Sequence, residues 1–138
     1  MPGLPSRRHF LRLLGTLLVL PGVRRAWALL PPRHAPHPTP RPGIDASNVL
    51  PDAQLADWPD ARPAFEAVRR IPQVADGIRC TCGCADRPGF YSLLSCYEGE
   101  GMARHCPICQ GQARLALRLH EAGKSLDEIR AAIDARYD

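Results

Sequence analysis

Outside the thirty residues from Cys80 to Cys109 the chain has no cysteine, and it also lacks most features from which an activity is read. No phosphate loop is present. Gly123-Lys124-Ser125 has the end of one, but the glycine required five residues earlier is Arg118. Neither a carboxylate pair nor a nucleophile-base arrangement makes an enzyme class arguable, so the chain reads as non-catalytic. Aromatic residues make up only 6 % of it. The apolar run from Leu11 to Leu20, broken by Arg12, Gly15 and Thr16, is shorter than the ~20 residues that a membrane-spanning helix needs.

That run has another reading. It follows Ser6-Arg7-Arg8-His9-Phe10-Leu11, a twin-arginine pattern, and precedes Ala26-Trp27-Ala28, the small-x-small form of a signal-peptidase site. Residues 1–28 are therefore expected to be a cleaved twin-arginine export signal, with an uncleaved anchor as the alternative. Export places the rest of the chain in the bacterial periplasm or cell envelope, with no stable membrane span once the signal is removed. This route carries proteins already folded, often around a cofactor, which favours a site assembled before export.

Excess basic charge is lacking too, once the signal is set aside. Arg7, Arg8, Arg12, Arg24 and Arg25 belong to it, so 13 of the 18 basic residues remain against all 14 acidic ones, a net charge of about −1. The sequence pI near 8.9 is a property of the signal. No nucleic-acid or anionic-membrane footprint is left.

Residues 29–60 read as a Pro-rich, disordered linker, since six of the twelve residues from Pro31 to Pro42 are proline. Proline has no amide donor and biases its predecessor toward extended chain. His34 and His37 fall there and are expected to be solvated. Residues 61–138 form the third segment, a cysteine-rich helical domain. Pro63 suits a first helical turn, and Phe65, Val68 and Ile71 follow at helical spacing before Pro72, giving a short helix over 61–71 with Trp58, Phe65 and Val68 in the core. Asp76-Gly77 reads as a turn, and 90–97 as about one helical turn that buries Leu93, Leu94 and Cys96.

From Pro107 a helix of about four turns is expected, with Ile108, Gln112, Leu115, Leu119 and Ala122 on one face, stopped by Gly123. Ser125-Leu126-Asp127-Glu128 is a capping box that opens a second helix bearing Leu126, Ile129, Ile133 and Tyr137. So short a connection makes the pair an antiparallel hairpin. The expected fold is mainly α: an irregular cysteine loop packed on this C-terminal hairpin.

All six cysteines, Cys80, Cys82, Cys84, Cys96, Cys106 and Cys109, are candidate metal ligands. In Cys106-Pro107-Ile108-Cys109 the proline suits the first helical position, so both thiols sit at a helix N-terminus, where amides and dipole favour thiolate. The run Cys80-Thr81-Cys82-Gly83-Cys84 either extends, with its thiols on one face, or turns at Gly83. Six thiols exceed the four of one tetrahedral zinc site and leave room for a multinuclear Cu(I) cluster. Met102 and His105 are candidate additional ligands or, more simply, surface or outer groups. Three disulfides stapling a small exported domain are the plain alternative, and six cysteines permit 15 connectivities.

In Ile71-Pro72-Gln73-Val74, Cys80-Thr81-Cys82-Gly83-Cys84, Ser95-Cys96-Tyr97, His105-Cys106-Pro107-Ile108-Cys109 and Gly123-Lys124-Ser125-Leu126-Asp127-Glu128-Ile129-Arg130, with Ile133-Asp134 and Tyr137, the chain resembles a bacterial family named for its Pro-Cys-Tyr-Cys-Gly-Cys (PCYCGC) motif. That resemblance covers about 58–138 and implies an exported protein or lipoprotein; the family has no assigned function. Arg79 and Thr81 stand where the family has proline and tyrosine, and neither change removes a thiol. No lipid-acceptor cysteine follows the signal. A fainter similarity to the helical thiol domain of cytochrome c maturation proteins implies thiol-disulfide exchange with a partner, through Cys106 and Cys109. The first expectation is an exported, non-catalytic protein holding a soft metal, Cu(I) or Zn on softness or an iron-sulfur cluster given folded export, in metal handling or delivery.

Overall fold

The computed structural model describes residues 35–137. The expected export signal and the first part of the expected linker lie outside them. Four helices carry the described domain: α1 (Arg62–Arg70), α2 (Pro72–Asp76), α3 (Pro107–Glu121) and α4 (Leu126–Tyr137). Short 3-10 turns at Asp52–Leu55, Pro59–Ala61, Cys84–Asp86, Leu94–Tyr97 and Met102–His105 join them. Among the described residues there is no strand, only an isolated antiparallel bridge between Val49 and Glu98. No helix there is long and apolar enough to cross a membrane.

The centre of the fold is α1 against α3. On α1, Ala64, Phe65, Ala67 and Val68 are buried, and full burial of Phe65 and Val68 contributes about 2–3 kcal/mol each. Pro72 ends α1 as expected, then opens the short α2, which was not expected, before the expected turn at Gly77. Proline at a first helical position lacks only an amide that would have no intrahelical partner. Phe65 also meets the Tyr97 ring edge-on, with centroids 4.7 Å apart.

On α3 the inward stripe is Cys109, Gln112, Ala113 and Ala116. The expected face was rotated from this: Ile108 is 38 % exposed and Ala122 is exposed, while Leu115 and Leu119 are only half-buried. Small residues at 113 and 116 let α1 and α3 approach, and close approach is favoured over presenting leucines. The capping box forms as expected, with Ser125 N donating to Glu128 Oε2 at 2.8 Å and Glu128 N to Ser125 Oγ at 3.3 Å. Tyr137 at the end of α4 reaches Gly111 near the start of α3, so the two helices run antiparallel.

The described part of the expected linker, residues 35–60, is tied to the domain as a strap, although most of its residues stay exposed. Proline removes donors but leaves carbonyls, and these are met by side chains of the domain. Arg130 Nη2 donates to Pro38 O at 2.8 Å and Tyr91 Oη to Thr39 O at 2.6 Å. Arg41 grips the fully buried Asp76 carboxylate through its backbone N (2.8 Å) and its Nη2 (2.7 Å), and Ser92 Oγ donates to the same carboxylate at 2.8 Å. Farther along, Val49, Leu50 and Leu55 are buried. His37, expected in solvent, has a largely buried side chain: Nε2 lies 3.0 Å from Asp134 Oδ1, and Nδ1 accepts from the backbone N of Arg79 at 3.0 Å. His34 lies outside the described residues.

Candidate metal centre

Three segments bring the cysteines together. Cys106 is the N-cap of α3, with extended backbone, and its Sγ accepts from Cys109 N at 3.4 Å. Cys109, in the first turn, is fully buried. The second segment turns at Gly83, whose φ of 87° is left-handed, so Cys80 and Cys84 lie either side of Cys82 instead of along an extended strand. Cys96 arrives on the 3-10 turn Leu94–Tyr97, seated by Leu93 N donating to Ile78 O at 2.7 Å. Tyr97 Oη then donates to Cys109 O at 2.8 Å, tying the second cysteine turn to the start of α3.

The sulfurs converge closely. Cys82 Sγ lies 3.1 Å from Cys80 Sγ and 3.1 Å from Cys84 Sγ, while Cys109 Sγ lies 3.4 Å from both Cys80 and Cys82. Thiolates arranged tetrahedrally about zinc at ~2.3 Å stand roughly 3.8 Å apart, so only small adjustments separate these positions from ligation. All six cysteines are free thiols. Two trios have their sulfurs within 4.8 Å of one another: Cys80, Cys96 and Cys109, all buried, and Cys82, Cys106 and Cys109, nearer the surface. Cys109 belongs to both, and with Cys80 and Cys82 it forms a third trio whose sulfurs lie within 3.4 Å of one another. Cys84 touches the group through Cys82.

Such crowding sorts the protons. Hydrogen bonds from neighbouring thiols, Cys109 first, draw Cys82 and Cys80 below the ordinary thiol range. Burial, together with the neighbouring Cys82, pushes Cys84 up to about 12. Cys109 is pushed up by Cys80, Cys82 and Cys96 and by burial. Cys96, drawn down by Cys109, is pushed up more strongly by Cys80, Cys82 and burial. The expectation that the helix N-terminus would make Cys109 an activated thiolate is thus reversed, because hydrogen bonding with Cys80, Cys82 and Cys96, and burial, hold the proton on its sulfur. A cation relieves that conflict, and binding one releases protons.

Supporting contacts add residues that were not singled out as part of a site. Gln112, one turn below Cys109 and fully buried, donates from Nε2 to Thr81 Oγ1 at 2.9 Å and so anchors the Cys80–Cys84 turn to α3. Its place on the inward face was readable from helical spacing; its link to Thr81 was not. Arg79, buried beside Cys80, is held through its backbone by His37, and its Nη2 lies 3.6 Å from Asp134 Oδ1. His105 is exposed and meets the Trp58 ring edge-on at 5.1 Å, with Arg104 4.4 Å over the same ring. Met102 is half-buried next to the outer cysteines. No family model matches the chain, and no curated protein or solved structure is significantly similar to it.

Proposed function

We propose that the protein is a non-catalytic carrier of a soft metal, two Cu(I) ions held by cysteine thiolates and bridged by Cys109, serving metal handling in the cell envelope. One observation carries this reading: five thiols form overlapping three-sulfur groups that all include the buried Cys109, with Cys80 and Cys82 only 3.1 Å apart. Three-sulfur groups suit trigonal Cu(I) better than tetrahedral zinc, and thiolate softness favours Cu(I) over harder ions. The protected inner trio suits an ion that must be kept from oxidants. Export rests on the twin-arginine pattern and the Ala26-Trp27-Ala28 site. Anaerobic titration with Cu(I), read by a competing chromophoric chelator, tests the reading: two equivalents bind to reduced protein. One tight Zn and no second soft ion would replace it with a single tetrahedral site.

A second reading, thiol-disulfide exchange, draws on Cys106, a half-exposed N-cap whose sulfur accepts an amide hydrogen bond. Its thiolate would attack a partner disulfide, and Cys109 would then displace the partner from the mixed disulfide. Cys109 is fully buried and its thiol is pushed up, so the resolving step is disfavoured. A Cys109→Ser variant that traps no mixed disulfide with any envelope protein excludes this reading.

A further inference from the structure

The site has two sides of different accessibility. Cys80, Cys96 and Cys109 are at most 1 % exposed. Cys82, Cys84 and Cys106 instead line an open cleft of about 290 Å³, together with Met102, His105 and Arg87. The cleft is the surface onto which the cysteine cluster opens. Two side chains singled out in the sequence as candidate ligands, Met102 and His105, lie on its wall and outside both three-sulfur groups.

Their position is set by the chain. Gly101, with φ of 58°, turns the backbone into the 3-10 turn Met102–His105, which ends at Cys106. Trp58 holds the His105 ring at the rim. Gln110 Nε2 donates to Ala103 O at 2.8 Å and to Arg104 O at 3.2 Å, fixing that turn to α3. A thioether needs no deprotonation and selects Cu(I) among common ions. Arg87 across the cleft disfavours hydrated dications and suits a soft ion arriving within an anionic thiolate complex.

We infer that this cleft is an exchange port, with Met102 as the transient ligand through which a thiophilic monovalent cation passes between an external soft donor and Cys106 and Cys82. The inference rests on the metal-carrier reading. Exchange is ligand substitution: a bond from the ion to the donor breaks as one to the Met102 sulfur forms, and that bond is then replaced by one to a cysteine. No electron moves, and each thiol that becomes a ligand gives its proton to solvent. Met102 changes the rate of transfer and leaves the number of ions held unchanged.

The test begins with full-length protein already loaded with Cu(I), so failure to load defeats the parent reading before the port is examined. Loaded wild type and Met102→Leu are mixed with excess bathocuproine disulfonate, and transfer is followed by absorbance. The inference expects equal Cu(I) content and release slowed on the order of tenfold in the variant, the range that groups next to metal ligands command. Release at the wild-type rate overturns the port. Loss of a bound equivalent overturns it too, by making Met102 a resident ligand. Leu115→Met, a half-buried change of similar size on α3 that does not line the cleft, controls for general loosening and leaves the rate unchanged.

Discussion

Replacing Cys109 by serine tests the shared-ligand geometry most sharply. Structural zinc sites with four ligands bind with roughly 10–16 kcal/mol, so one thiolate is worth about 2.5–4 kcal/mol, or a factor of roughly 10² to 10³ in affinity. Cys109 serves two three-sulfur groups, so its removal weakens both ions at once. Cys84 belongs to neither three-sulfur group and meets Cys82 at 3.1 Å. Cys84→Ser is therefore expected to keep two Cu(I) ions, whereas Cys109→Ser keeps at most one, weakened by at least 10²-fold. In the metal-free state a buried serine hydroxyl without a partner costs only about 1–3 kcal/mol. The two variants should differ little in apo thermal unfolding and widely after loading. A Cys109→Ala variant separates a folding defect from a binding one. Two ions bound by Cys109→Ser with wild-type affinity would refute the reasoning.

Three further predictions concern the scaffold. Burial pushes Asp76 up, but the hydrogen bonds from Arg41 and Ser92 outweigh it and hold the carboxyl below its ordinary 3.8. Its contribution is present above that value and is lost as pH falls below it. Asp76→Asn costs about 2–3 kcal/mol and exposes residues 35–45 to protease, measured by urea titration and limited proteolysis. Glu128 is held down at about 2 by Lys124 and the Ser125 amide, so its contribution is present above its ordinary 4.5 and is lost as pH falls through about 2. Glu128→Gln should flatten acid unfolding over that interval, while Ser125→Ala costs ~1 kcal/mol in thermal unfolding at neutral pH. At Gly101 a Cβ would run into Leu50 and meet Phe65, and φ is left-handed. Gly101→Ala should cost at least ~2 kcal/mol from strain and overpacking together, read by chemical denaturation.

The helical frame was legible where local chemistry decides it. Proline openings placed α1 and α3, and the capping box at Ser125 placed α4. The inward face of α3 was misjudged because Cys109 and the small Ala113 and Ala116, rather than the larger Ile108, Leu115 and Leu119, fill it beside Gln112. The strap was missed for a different reason. Its composition matches a solvated chain, and what holds it is remote: His37 to Asp134, Arg41 to Asp76, Arg130 to Pro38. No local pattern encodes pairings across 35 to 97 residues.

At the site, residue types and spacing were enough to gather six thiols within one segment. They could not divide those thiols. Cys106 and Cys109 looked like the activated pair because a helix N-terminus lowers a thiol pKa, yet Cys109 is pushed up while Cys82 and Cys80 are drawn down. That outcome depends on which sulfurs become neighbours after folding, as does the division into a sealed inner trio and an outer trio beside a cleft.

Elemental analysis with a thiol count on the same anaerobically purified protein addresses the central claim most directly. Two soft-metal equivalents per chain are expected, with five thiols that become titratable only after the metal is removed. A folded, metal-free chain containing three disulfides, unable to take up Cu(I) or Zn without reduction, would contradict the account.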